Sequence, residues 1–254
     1  SKFHVARDGH IIIHPVYNNV IYSNLSDFVD VSAWTNGKPS AKNSKVSIAR
    51  SEIVADGTET TTLIVELRDD SNTFLASMDG FLKASYKAKD ESSEEIPVTG
   101  WSESQTGKYT AKIAVKDIKL YDFSVSCKDV VLDTSHVTLR GRGAEAGSSL
   151  QLTPEVLKPG ASAKILFYPQ DKFGVYQSLG KSLSLAVYLE DGKTPTKDLT
   201  LSPLLWNAAE NAYVSSVKGI DKAGVYYIEA LFCGKSIAPE AKRALSFVVP
   251  DETS

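Results

Sequence analysis

One stretch of this chain occurs twice, and little else in the sequence constrains the fold as much. The first copy is Trp101 to Asp129, WSESQTGKYTAKIAVKDIKLYDFSVSCKD, and the second is Trp206 to Gly234, WNAAENAYVSSVKGIDKAGVYYIEALFCG. Each copy has a Trp, a short polar loop and a Tyr that opens an alternating run. A turn follows, then a second Tyr opening another such run. Period two with β-branched and aromatic residues is the pattern of half-buried strands. Two copies predict two β-sandwiches in tandem.

The remaining strands read the same way. Leu63, Val65 and Leu67 alternate with Ile64, Glu66 and Arg68 between the turns Val54–Gly57 and Asp69–Asn72. Phe81 to Tyr86 is the next strand, and His136 to Leu139 closes the first set. In the second set Ala163 to Tyr168 and Leu183 to Leu189 alternate, and Leu245 to Val249 is the last strand. Tyr121, Phe123, Val125 and Cys127 take inward positions, matched by Tyr226, Ile228, Ala230 and Phe232. No segment carries a helical period. The fold class is therefore all-β, with tandem immunoglobulin-like sandwiches.

The boundaries follow from composition. Residues 1–44 form an N-terminal β extension or part of a preceding domain, and residues 45–140 are the first sandwich. Residues 141–149, GRGAEAGSS, are small and polar and read as a linker. Residues 150–254 are the second sandwich. With 42% hydrophobic residues, each domain of ~100 residues buries a core without metal or disulfide help. A formal net charge of −3 gives no general pull towards nucleic acid or anionic membrane. No apolar run approaches the ~20 residues that span a bilayer.

Two families are resembled. Asp221 to Tyr226, DKAGVY, with the strand after it and Cys233 to Ile237, CGKSI, looks like the end of a filamin-type immunoglobulin-like repeat, as does Phe167 to Gly174. Ser44 to Asp69 resembles the start of a bacterial immunoglobulin-like domain of the invasin and intimin type. The first copy departs from both patterns, with Lys119-Leu120 where the second has Ala223-Gly224, and Asp129 where it has Gly234. The motifs are turns and core positions, so they speak for fold more than for function. The resemblance implies a non-enzymatic segment of a longer multidomain chain. Its role would be that of rigid spacer and binding module at the cell surface, meeting a protein or glycan receptor on another cell. The alternative is an intracellular, cytoskeletal scaffold of filamin type that binds partner strands at a sheet edge.

No residue cluster reads as an active site, and no cofactor or metal is expected. His4, His10 and His14 are close in sequence, yet strand residues four apart lie ~13 Å apart. Ile11-Ile12-Ile13 and Pro15 disfavour the helix that would gather them. Asp69, Asp70 and Asn72 could offer oxygen ligands but lack the Gly and the terminal Glu of an EF-hand calcium loop, and they and the acidic run 90–95 read as solvated turns. Gly141, Gly143 and Gly147 do not fit a dinucleotide fingerprint. Ser, His and Asp are present without a nucleophile elbow. Cys127 and Cys233 fall in different copies and are expected unpaired, which weakly favours a reducing compartment or a protein that makes no use of disulfides. Asn24-Leu25-Ser26 is a sequon that matters only in a secreted eukaryotic protein. Trp34 is a third tryptophan of the partner-facing or structural kind. Trp101, Tyr109, Tyr121, Cys127, Trp206, Tyr213, Tyr226 and Phe232 are the expected structural core positions.

Overall fold

The structure is a computed structural model that describes residues 10–13, 16–17, 20–21, 27–30, 37–90, 92–218, 220 and 222–248, the strands before residue 37 as backbone only. His4, His14, Trp34, the Asn24 sequon, Glu91, Asp221 and the side chain of His10 lie outside the described residues. Near the start, β1 (His10–Ile13) pairs antiparallel with β4 (Asp27–Asp30), and β2 (Val16–Tyr17) with β3 (Val20–Ile21).

The chain divides into two compact units. The first takes the residues up to Ser51, then Thr60–Ile113 and Leu120–Leu139. The second takes Glu52–Glu59, Ala114–Lys119 and the chain from Arg140 on.

In the first unit β5 (Lys45–Ile48), β7 (Thr61–Glu66), β10 (Ser102–Gln105) and β11 (Lys108–Ile113) form an antiparallel sheet in the order β10-β11-β7-β5. The opposing sheet holds β8 (Leu82–Ala88), β9 (Ile96–Pro97) and β12 (Leu120–Cys127), with β13 (Val130–Val131) folded back on β12 and the start of β14 (Thr138–Arg142) beside it. The alternation explains these strands. Thr61, Leu63 and Val65 of β7 point inward, as do Tyr121, Phe123, Val125 and Cys127 of β12. Burying each large apolar side chain contributes about 1.5–3 kcal/mol.

The second unit repeats the plan. One sheet runs β15 (Ser149–Thr153), β17 (Ser162–Tyr168), β20 (Ala212–Lys218), β19 (Leu205–Asn207). The other runs β16 (Val156–Leu157), β23 (Lys242–Phe247), β21 (Gly224–Phe232), β18 (Leu183–Tyr188), with β22 (Lys235–Ser236) on β21. Only β16 and β23 pair in parallel within these two sheets. Four antiparallel strands facing a sheet whose middle strands are the last two long ones is the constant-type immunoglobulin arrangement. Phe167, Ile165, Leu150, Tyr213, Tyr226, Ile228 and Leu245 fill the core, joined by Val54 from the early segment. That segment enters through β6 (Glu52–Val54), parallel to Arg140–Arg142 of β14.

Several boundaries differ from expectation for identifiable reasons. Gly141 and Arg142 belong to β14, so only 143–148 connect β14 to β15. Gly141 is there for close approach: a Cβ would lie 2.2 Å from the Asp117 carbonyl oxygen. The strand expected at His136 begins at Thr138, because Ser135 and His136 form a turn closed by the Val137 N–H on the Thr134 carbonyl at 2.8 Å; the His136 ring nitrogen Nε2 donates to the Val46 carbonyl of edge strand β5 at 2.9 Å. The last strand, expected at Leu245–Val249, is Lys242–Phe247, with Val249 outside the described residues.

Candidate functional site: an open sheet edge in the second unit

Of the expected core positions, Tyr109, Tyr121, Cys127, Tyr213 and Tyr226 are buried, whereas Trp101, Trp206 and Phe232 are half-exposed. The two tryptophans sit at the rims, where a large ring with one polar atom keeps part of its surface in water. The Trp101 indole nitrogen is itself buried and has no hydrogen-bond partner among the described residues. Trp206 meets Tyr213 edge-on, with ring centroids 5.2 Å apart.

Tyr213 builds the site. Its ring lies in the core, and its hydroxyl donates to the Gln177 carbonyl at 2.7 Å. The same oxygen accepts the Leu179 and Gly180 N–H groups at 2.8 and 3.2 Å. This pins the loop that feeds β18. Tyr109 does the same in the first unit, donating to Leu75 and accepting from Met78.

Strand β18 is an edge. Its inner side pairs with β21 through residues 183–188. On the outer side the Val187 carbonyl accepts the Thr196 N–H and the Leu189 N–H donates to Thr194, both at 2.9 Å. Backbone groups alternate in direction along an antiparallel strand, so those of Leu185 and Leu183 face outward too. The Leu183 N–H turns back to Gly180. The Leu183 carbonyl and both backbone groups of Leu185 have no partner among the described residues. Beside them lies a groove of about 690 Å³, lined by Leu185, Leu201, Leu204, Trp206 and Tyr213, with Lys181 on its rim.

The counterpart in the first unit is shut. Leu82 pairs with Cys127 as Leu183 pairs with Phe232, which makes Ala84 the equivalent of Leu185. There the Val98 N–H donates to the Ala84 carbonyl at 2.8 Å, and β9 pairs Pro97 and Ile96 with Ser85 and Tyr86. Hydrogen-bonding groups on an open edge, next to an apolar groove, are equipped to receive one more strand.

Two charged clusters stiffen the second unit. Arg142 donates to Asp171 through Nε at 2.8 Å and Nη2 at 3.2 Å, and also bonds the Gly174 and Val175 carbonyls. Glu52 lies 3.0 Å from Nη1, and the guanidinium stacks 4.7 Å over Tyr176. Asp171 also accepts the Gly143 and Phe173 N–H groups. Elsewhere, burial works to raise the Asp56 carboxyl. The N–H groups of Glu59 and Thr58 and the Ser182 hydroxyl outweigh it and hold Asp56 down at about 2.

The remaining candidates separate rather than gather. Cys127 is a buried free thiol that burial pushes up to about 11. Cys233 is an exposed free thiol in a tight turn with φ of 50°, raised by burial and by the Asp56 carboxylate. Asp69 is a turn acceptor for Thr73, and Asp90 one for Ser92. Gly147 has open space or ordinary contacts around it, whereas a Cβ on Gly143 would collide with Ile118. No group of three or more metal-binding side chains exists among the described residues. No helix among them is long and apolar enough to cross a membrane. The open edge left no mark in the sequence, where Leu183 to Tyr188 alternates like any other strand.

The fold and edge define a class: tandem immunoglobulin-like sandwiches, one with an unpaired strand flank. No family model matches the chain, and no curated protein matches it. Among solved structures it is similar to FdeC, an adhesin of Escherichia coli. The identity is 19% over 96% of this chain and 75% of that one, with a TM-score of 0.45. It is also similar to invasin, described as a bacterial integrin-binding protein, at 16% identity, 96% and 46% coverage and a TM-score of 0.40. The filamin domain of Lin-41 is similar at 18% identity, over 42% of this chain and 98% of that one, with a TM-score of 0.31. The chain thus spans three quarters of the first structure and less than half of the second.

Proposed function

We propose that this chain is a non-enzymatic adhesion and recognition segment of a cell-surface protein. It serves as a spacer and carries its own binding module, and it is one part of a longer multidomain chain. The partner is a protein receptor on another cell, which adds an extended strand along β18. The observation that carries this reading is the unpaired flank at Leu183 and Leu185 beside an apolar groove, in the one unit whose equivalent edge is not covered. Main-chain bonding gives affinity in such a mode, and the groove gives selectivity for alternate side chains.

The test is panning a phage-displayed library of random peptides on the chain, with Leu185→Pro as counter-screen. Proline removes the outward N–H without touching the ladder to β21. Enriched peptides are expected to alternate apolar and small residues and to lose binding to the variant. Enrichment of peptides that bind both proteins equally overturns the edge. Protease treatment of intact cells expressing the full-length protein tests location: cleavage supports surface display.

The second reading, an intracellular filamin-type scaffold, is favoured by the two unpaired cysteines, since free thiols are ordinary in a reducing compartment. Protection from external protease would select it.

A further inference from the structure

We propose that residues 190–196 are a displaceable strap over the far end of β18, latched by Lys242; this rests on reading β18 as the docking edge. The strap leaves β18 after Leu189 and returns alongside it. It bonds back through Leu189 N–H to Thr194 and Thr196 N–H to Val187, with Pro195 opposite Tyr188 contributing no donor. Its own turn is tight: the Asp191 carboxylate accepts the Lys193 and Thr194 N–H groups at 2.8 Å, and Gly192 has φ of 64°.

What fastens it to the sheet is one ammonium. Lys242 Nζ donates to the Gly192 carbonyl at 2.6 Å, lies 3.5 Å from Glu229 and sits 4.3 Å over the Tyr188 ring. Glu229 is held in place by the Ser236 hydroxyl at 2.5 Å. Little else anchors the segment. Residues 190, 191 and 193–195 are exposed, and the next buried side chain is Leu199. The cover on the first unit's edge differs, because Val98, which bonds Ala84, is itself buried. A segment with few apolar contacts and two ladder bonds opens locally while the rest of the domain stays folded. Opening adds the Val187 carbonyl and the Leu189 N–H to the groups already facing outward from Leu183 and Leu185. An incoming strand would then gain a longer flank, so the latch sets how readily the edge is extended.

Amide hydrogen exchange on the full chain tests this without any ligand. The Leu189 and Thr196 amides are expected to exchange faster than the β17–β20 ladder. Lys242→Met, which keeps the aliphatic stem and removes the charge, is expected to speed both by about tenfold or more, since a charge-assisted bond is lost. The ladder should not change. If Lys242→Met unfolds the unit by stranding Glu229, Lys242→Met with Glu229→Gln removes both charges and is expected to give the same local acceleration. The strap is overturned if Leu189 and Thr196 exchange only with the ladder in the wild type and the folded variant. Peptides that still require Leu185 would then uphold the edge alone. Local opening without such peptides would instead leave the strap and sink the edge.

Discussion

The hydroxyl of Tyr213 stands 2.7 Å from the carbonyl oxygen of Gln177, thirty-six positions earlier in the chain. One phenol thus fixes the loop that delivers β18. Tyr213→Phe leaves the Gln177 carbonyl and the buried Leu179 N–H without their partner, at a cost of about 1–3 kcal/mol. Tyr109→Phe is expected to cost a similar amount in the first unit through Leu75 and Met78. The two sites share no partner, so the double variant should lose about the sum. Urea denaturation followed by tyrosine and tryptophan fluorescence measures each loss.

Arg142 and Asp171 predict an asymmetric pair of variants. Asp171→Ala removes the buried carboxylate from the Arg142 guanidinium, leaving it Glu52 and the Gly174 and Val175 carbonyls, and also orphans the Gly143 and Phe173 N–H groups. It is expected to cost about 3–5 kcal/mol, the range for breaking a buried pair. Arg142→Met is expected to cost less, because those two N–H groups still compensate the carboxylate. Thermal melts of the two variants should show the larger drop for Asp171→Ala; the reverse order would mean the arginine's carbonyl bonds dominate.

Asp56 makes the second unit sensitive to acid. Its folded value of about 2 lies below the ordinary 3.8. A depressed carboxyl contributes stability that is fully present above the unfolded value and is lost as pH falls through the folded one. The contribution should therefore be constant above pH about 5 and fade between roughly 4 and 2. Comparing wild type with Asp56→Asn across that window, the stability gap is expected to close at the acid end. A gap independent of pH would contradict the hydrogen-bonding account.

The two thiols should titrate as unlike groups. In the native protein a disulfide reagent is expected to modify Cys233 alone, and both cysteines in guanidinium, because Cys127 is sealed in the core. Cys233 should react more slowly than a free thiol at neutral pH. Asp56→Asn, which removes the nearby negative charge, should speed it.

The strands were readable because burial on one face imposes period two, as in Tyr121, Phe123, Val125 and Cys127. The twin tyrosines were readable because both copies keep them. Gly141 was not: a glycine among small polar residues looks like flexibility, whereas here it admits the Asp117 carbonyl. Cys233 follows Phe232, the residue matched to Cys127, and so falls outside the inward series, in a left-handed turn before Gly234. Arg142 and Asp171 are far apart in sequence and carry no local pattern, so only the folded chain pairs them. The open flank of β18 was invisible for a related reason. Whether an edge is covered depends on where a neighbouring loop lands, and Leu183 to Tyr188 alternates like any other strand.

With the strap closed, the bare part of β18 offers only two outward N–H donors among the described residues, at Leu185 and Val187, hemmed by the Gly180 turn on one side and Thr196 on the other. So short a stretch gives a neighbouring molecule almost nothing to zip against. Copies packed densely side by side would therefore remain separate particles rather than fuse into fibres.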